Sequence, residues 1–470
     1  MIILERWVYA LQFVFLVYFI ALNGGYLALN LLSFSRMKRY LASRSLDDIG
    51  RVYSGFEPPV SLLVPAYNEE ATICASVRSM LQLEYPEFEV VVINDGSRDG
   101  TLNALRSEFG LTPFPEAYWK RIDVKPVHGI YRSTVFPNLR VIDKENGGKA
   151  DALNAGINAS RFPLFCGVDA DSILERSSLS RAVEPFLEHP ETIAAGGTIR
   201  IANGCTVRDG FLERVDLPNR LLPLLQIVEY LRAFLFGRFG WVPIDAVLII
   251  SGAFGVFRRD AVVAVGGYRS DTVGEDMELV VRLHRRYRLV RKPYRITFVP
   301  DPICWTEAPE NLKVLASQRI RWQRGLAESL SGNLGLLFHR RGGTPGWIAF
   351  PFMLVFELFG PLIEVLGYVF MIACTALGLV SMQALTIFLL VAIGFGIALS
   401  ISALLLEELS FRIYPRPRSV ALLAFVAIVE NLGYRQLTSI WRLWGLTKWI
   451  VGSKQRWGEM VRSGAWQRTE

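Results

Sequence analysis

Apolar positions in this chain fall into two kinds of run, long and short. Trp7 to Leu32 is 26 residues without a charge, long enough for a helix to cross a hydrocarbon core about 30 Å thick. It is long for a signal-peptide core, and no small-residue cleavage site separates it from the basic cluster that follows, so it reads as a retained transmembrane helix. Val365 to Leu406 is 42 residues without a charge. That is the length of two crossings, with a break near Ser381-Met382-Gln383. Trp347 to Glu364 carries Glu357, Glu364 and two prolines, which suits an interfacial or broken helix. Val420 to Trp444 is also apolar but holds Glu430, Asn431 and Arg435 in its middle. Leu221 to Phe239 is amphipathic and reads equally as an interfacial helix or an ordinary core helix.

The short runs lie between residues 57 and 341. Val60-Ser-Leu-Leu-Val-Pro, Phe88 to Asn94, Leu139 to Asp143 and Pro163 to Asp169 are apolar stretches of strand length, the first ending in proline and the second followed by acidic and glycine turn residues. Ala71 to Leu83 has helical spacing. Strand and helix patterns that alternate in this way predict an α/β domain with a mostly parallel sheet covered by helices. Ligands in such sheets bind beyond the carboxyl ends of the strands. The polar residues Asn68 and Glu69, Asp95, Asp143 to Lys149, and Asp169 to Asp171 sit at those ends. The resulting division is an N-terminal membrane helix (1–35), an α/β domain (55–341), C-terminal interfacial and transmembrane helices (345–445) and a basic tail (446–470).

Composition fits this division. Hydrophobic residues make up 51% of the chain, and the net charge is +7. Basic residues follow the first apolar segment (Arg36, Lys38, Arg39, Arg44), so the positive-inside rule places the N-terminus outside and the α/β domain in the cytosol of a bacterial inner membrane. Arg340-Arg341 and Arg412, Arg416 and Arg418 fall on the same side. A crossing by Val420 to Trp444 would put Lys448, Lys454 and Arg456 outside, against the rule. No focused basic patch carries a nucleic-acid motif, so nucleic acid is not an expected partner. The five cysteines (Cys74, Cys166, Cys205, Cys304, Cys374) are scattered without a CxxC, which fits a reducing cytosol.

Each chemical motif has a bland reading beside a sharp one. Asp169-Ala-Asp171 at a strand end can hold Mg²⁺ or Mn²⁺ together with phosphate oxygens, or it is an acidic turn. Asp95-Gly-Ser-Arg-Asp-Gly-Thr by itself is turn chemistry. Asn68-Glu69-Glu70 is equally an N-cap with helix-dipole carboxylates, and Tyr67 a core residue. Lys144-Glu-Asn-Gly-Gly-Lys149 opens a helix with N–H groups and an ammonium suited to phosphate, though the Walker A spacing is absent; otherwise it is a solvated helix start. Gly274-Glu275-Asp276 begins a helix, where a carboxylate either caps or serves as a general base. Gln318, Arg321 and Trp322 share one helix face. There the Arg can grip a diphosphate and the Trp can stack on a sugar, or the helix is basic and interfacial.

Taken in order, Pro65-Ala-Tyr-Asn-Glu-Glu70, Asp95-Gly-Ser, Asn146-Gly-Gly-Lys149, Asp169-Ala-Asp171, Ser251-Gly-Ala-Phe-Gly255, Gly274-Glu-Asp276 and Gln318-xx-Arg321-Trp322 resemble the family-2 processive glycosyltransferases, the group of cellulose, hyaluronan, chitin and poly-N-acetylglucosamine synthases. The resemblance covers about Pro59 to Gly325. It implies a GT-A fold, a UDP-sugar donor, and Mg²⁺ or Mn²⁺ at Asp171 with Asp169. It further implies that Tyr67, Glu69 and Asp95 hold the uridine and that Lys149 and Asp169 lie near the nucleotide and diphosphate. Gln318 and Arg321 would contact the diphosphate, and Asp276 would be the general base of an inverting transfer. Trp322 would floor an acceptor site flanked by Ser251, Gly252, Phe254 and Glu275.

The leading expectation is synthesis of a β-linked exopolysaccharide at the membrane, with an export or accessory subunit as a partner because the membrane part is small. The alternative is a non-processive enzyme acting on a lipid or lipid-linked acceptor. A third reading, a transporter built around Glu357, Glu364 and Glu430, leaves the large α/β domain without a purpose.

Overall fold

The computed structural model describes residues 2–44, 55–208 and 210–452. Most of the expected basic tail, with Lys454 and Arg456, lies outside the described residues. The uncharged N-terminal run is part of one long helix, α1 (Ile2–Arg44), whose apolar stretch suffices to cross a membrane. Trp7, Tyr9, Phe13, Ile20, Leu27 and Leu31 project from it, each more than 40% exposed. Burying one such side chain is worth about 1.5–3 kcal/mol, and a whole domain is stable by only about 5–15 kcal/mol. A stripe of this size facing water would cost as much as a fold contributes, so lipid is its natural surroundings.

The α/β domain holds a ten-stranded sheet in the order β3-β4-β5-β2-β1-β6-β11-β8-β12-β7. The strands are β1 (Val60–Ala66), β2 (Phe88–Asp95), β3 (Leu111–Pro113), β4 (Val127–Ser133), β5 (Leu139–Lys144), β6 (Leu164–Val168), β7 (Ile173–Leu174), β8 (Thr192–Ile201), β11 (Phe254–Arg258) and β12 (Arg295–Thr306). β9 (Thr206–Arg208) and β10 (Phe211–Arg214) form a separate hairpin. The four predicted strands β1, β2, β5 and β6 are the central parallel ones. They are buried on both faces, which is why they read as continuous apolar runs. β11 enters antiparallel between β6 and β8, and β3, β4 and β7 add antiparallel edges. Helices α2 (Ile73–Leu81), α3 (Thr101–Phe109), α4 (Lys149–Ala159) and α5 (Ser178–Glu188) cover the sheet.

α6 (Leu221–Leu235) decides how the domain meets the membrane part. Nine of its fifteen residues are buried, because it packs against β8 on one side and against the C-terminal helices on the other. Of the two readings of this segment, the structure supports the core helix. α8 (Glu275–Leu289) and α9 (Leu312–Ser331) complete the domain, α7 being the short Arg259–Val263.

The C-terminal helices are α10 (Pro345–Leu358) and α11 (Gly360–Ala376), bent by 44° at their junction, then α12 (Met382–Ser410) and α13 (Pro417–Ile450). The Trp347 to Glu364 segment is thus the expected broken helix. Ser381 caps α12 by accepting from the Ala384 N–H at 3.2 Å, at the break expected from the sequence. Among the described residues three helices, α1, α12 and α13, are long and apolar enough to cross a membrane, or four with the bent pair. α13 kinks at Leu432 and Gly433. The acidic residues at membrane depth are partnered: Glu357 with Arg442 at 2.8 Å, Glu430 with Arg232 at 2.6 Å, and Glu364 with the Ser439 hydroxyl at 2.7 Å. Arg200 on β8 pairs with Glu407 on α12, both almost fully buried. A half-removed pair of this kind leaves a buried charge uncompensated, so Arg232–Glu430 and Arg200–Glu407 tie the domain to the helices in one register.

Candidate functional site

Four strand ends, the first turn of α8 and the middle of α9 open onto one cavity of about 1810 Å³. That exceeds the roughly 300–1,000 Å³ of an ordinary small-ligand pocket. It runs from the loops after β1, β2, β5 and β6 to an inner wall formed by α6, α10 and α13.

The loops after β1 and β2 brace each other. Asn68, at positive φ, donates its N–H to Ser97 Oγ at 3.0 Å and accepts from the Arg98 N–H at 2.8 Å. Glu70 accepts from the Gly100 N–H at 2.9 Å. Asn68 and Glu70 are therefore spent on loop geometry. Tyr67 is 40% exposed and stands on the cavity wall beside Glu69, not in the core.

Asp95 ends β2 and is 3% exposed. Its oxygens accept from Lys144 Nζ at 2.7 Å and from the N–H groups of Gly147 and Gly148 at 3.0 and 2.7 Å. This carboxylate holds the Asn146-Gly-Gly turn. Gly148 sits at φ +86°, a conformation that costs glycine nothing. The turn delivers Lys149 to the start of α4, where its Nζ pairs with Asp169 and donates to the Gly252 carbonyl at 3.1 Å. Burial works against this ammonium, but Asp169, Glu275 and Asp276 outweigh it and raise its pKa, so it stays charged.

Asp169 and Asp171 follow β6 and line the same cavity. Among the described residues no group of three or more His, Cys, Asp or Glu side chains gathers to form a protein-only metal cage. Two hard carboxylate oxygens beside a phosphate-sized space are the donor set of a cation that completes its shell with substrate phosphates and water. The residues therefore fit Mg²⁺ or Mn²⁺.

Asp276 lies in the first turn of α8 and accepts from the Gly252 N–H at 2.9 Å through Oδ2. Burial pushes the neighbouring Glu275 carboxyl up in pKa, opposed by Lys149. A Cβ on Gly325 of α9 would come within 2.8 Å of Gly274 Cα. This backbone-on-backbone contact sets the helix carrying Gln318, Arg321 and Trp322 against the helix carrying Asp276. Those three side chains line the cavity, with Trp322 45% exposed and the Arg319 guanidinium 4.3 Å from its ring centre. Gln318 Oε1 is buried without a hydrogen-bond partner among the described residues. Gly325→Val is expected to push α9 off α8, lowering donor turnover at least about tenfold and the melting temperature by several degrees. Kinetics and thermal unfolding of the purified protein check this.

One expected site residue is misplaced. Phe254 is fully buried. It begins β11 and points into the core under β8, while Ser251, Gly252 and Ala253 just before it form the wall. Strand alternation turns a neighbour of the wall inward. Sequence reasoning also missed Gly325, Arg238 and the paired residues of the inner wall. The glycine four residues after Arg321 was a readable signal; the rest depend on how α6 and α13 pack.

Known proteins share this frame. A family model described as "Glycosyltransferase like family 2" matches residues 133–325 and "Glycosyl transferase family 2" matches residues 61–118. A poly-beta-1,6-N-acetyl-D-glucosamine synthase of Staphylococcus epidermidis is 29% identical over 272 residues, and that of Staphylococcus aureus is 31% identical over 274. Each alignment takes in 58% of this chain and only 55% of the relative's own length. The solved mannosyltransferase PcManGT from Pyrobaculum calidifontis, in complex with GDP-Man and Mn²⁺, superposes with a TM-score of 0.52 at 20% identity, over 90% of this chain and 99% of that one. Its likeness extends to the fold, a GT-A-like sheet with flanking apolar helices. The two family-2 matches together take in residues 61–118 and 133–325, over half of the sequence, and with the motif order in agreement this chain belongs to glycosyltransferase family 2.

Proposed function

We propose that the protein is an inverting, UDP-sugar-dependent glycosyltransferase that extends a β-linked exopolysaccharide at the cytosolic face of a bacterial inner membrane. The observation that carries this reading is the single cavity, continuous from the Gly-Gly turn and the Asp169–Asp171 pair to the polar inner wall among the membrane helices. Such a cavity has room for a nucleotide sugar at one end and several acceptor units at the other. The two staphylococcal relatives named above are poly-beta-1,6-N-acetyl-D-glucosamine synthases, which supports the same reading.

In this mechanism Tyr67 and Glu69 flank the uridine, and Asp95 acts through the turn it holds. Lys149, Gln318 and Arg321 receive the diphosphate. The acceptor rests on Trp322 between Ser251, Gly252 and Glu275. Asp276 takes the proton of the attacking hydroxyl; the hydroxyl oxygen bonds to the anomeric carbon as the bond from that carbon to the diphosphate oxygen breaks, and the configuration inverts. A divalent cation held by Asp169 and Asp171 would supply the charge against which UDP leaves. The polar atoms of Asp276 are fixed before substrate arrives, which is the preorganisation such a transfer needs.

UDP release by purified protein, with Mn²⁺ or Mg²⁺ and a panel of UDP-sugars, tests the proposal, with products sized on a gel. One donor turned over into high-mass product is the expected result. Short glycolipids alone would replace the polymer reading by the lipid-acceptor one. Trp322→Ala is expected to shorten the product or abolish elongation, roughly 10²-fold in polymer yield, while UDP affinity stays within about twofold. Undiminished polymer would remove Trp322 from the acceptor site.

A further inference from the structure

Three arginines of the inner wall, Arg232, Arg319 and Arg442, each face a carboxylate at 2.6–2.8 Å. Arg238, which follows α6 and lines the same cavity, has no such partner among the described residues. Its Nε and Nη1 are buried and lack any hydrogen-bond partner among the described residues. The guanidinium instead lies over the Phe234 ring, 3.9 Å from its centre. A buried cation without a counter-charge is expensive. Folded proteins retain one where a ligand brings the missing anion, and a planar guanidinium on an aromatic face is built to grip a carboxylate or phosphate with two N–H groups.

The position of Arg238 narrows the ligand. Asp276 is the one carboxylate that acts on it electrostatically, whereas Lys149 answers to Asp169 and Glu275 as well. Arg238 thus lines the cavity at the end of α6, stacked on Phe234 and within electrostatic reach of Asp276. Burial pulls it down to about 10, so it remains charged at neutral pH. The diphosphate end already has Lys149, Gln318 and Arg321.

We propose that Arg238 recognises an anionic acceptor, its guanidinium holding an oxyanion carried by the acceptor beside the hydroxyl that faces Asp276. This rests on the acceptor end assigned under the proposed function. The oxyanion is either the carboxylate of a uronic-acid unit or the phosphate of a lipid-linked sugar.

Binding to the full-length protein in detergent, measured by calorimetry, tests the proposal. The probes are a neutral β-linked oligosaccharide, one of the same length ending in a uronic acid, a short-chain polyprenyl diphosphate sugar, and UDP. Wild type is expected to bind one anionic probe at least about tenfold more tightly than the neutral one, and the tighter probe identifies carboxylate or phosphate. Arg238→Gln is expected to lose that margin and Arg238→Lys to keep part of it, with UDP affinity in Arg238→Lys near wild type as the check on folding. Equal affinity of wild type for neutral and anionic probes would overturn the proposal. So would an Arg238→Lys protein that weakens UDP tenfold with the margin intact, because the residue would then serve the donor. Binding is read without turnover, so a protein that consumed no UDP-sugar would count against the proposed reaction and not against this margin.

Discussion

Asp276→Asn is expected to leave a folded protein that binds UDP normally and transfers sugar about 10³-fold more slowly, within the usual contribution of a positioned base. The asparagine keeps the size of the side chain, and its carbonyl oxygen can still accept from the Gly252 N–H that holds Asp276 at 2.9 Å. The geometry of the wall therefore survives while the proton acceptor is lost. Asp276 also acts electrostatically on Arg238 and is one of the carboxylates that keep Lys149 charged. A purely electrostatic role would consequently appear as altered UDP affinity. Titration of UDP against wild type and variant, beside the transfer rate, separates these roles. Loss of nucleotide affinity with transfer otherwise intact would make Asp276 structural.

Asp171→Ala is expected to cost at least about 10²-fold in donor turnover and to remove the dependence of UDP binding on Mn²⁺ or Mg²⁺. Asp171 is 4% exposed and sits in the turn that follows β6. Chelation of wild type should reproduce the variant, and added Mn²⁺ should rescue wild type alone. A UDP affinity that responds equally to Mn²⁺ in both proteins would place the cation elsewhere.

Much of the fold was legible because strong local signals coincided with it. β1, β2, β5 and β6 are buried on both faces, so nothing polar interrupts their runs, and each matched strand ends where a polar motif begins. The antiparallel strands escaped notice for the opposite reason. β4 buries only Ile130 and Ser133, without a regular alternation, and β3 and β7 have three and two residues, too few for any period to show. The site residues were legible as types and as an order of motifs. Their division of labour was not. Asp95 turned out to hold a turn and Phe254 to face the core, since one residue of strand alternation separates a wall from an interior.

The sequence by itself determined the long apolar helices, the parallel centre of the sheet, the family and the motifs that line the cavity. Those depend on charge-free length, local periodicity and short motifs, all of which are properties of contiguous residues. Only the tertiary structure decided that α6 is buried at the junction, that Gly325 lies on Gly274, that the membrane-depth acids are paired, and that Arg232, Arg319 and Arg442 each meet a carboxylate while Nε and Nη1 of Arg238 are buried without a partner among the described residues. Each of these depends on residues far apart in the chain meeting across helices. Whether a buried charge is compensated is a property of the packed neighbourhood, which no local stretch of sequence encodes.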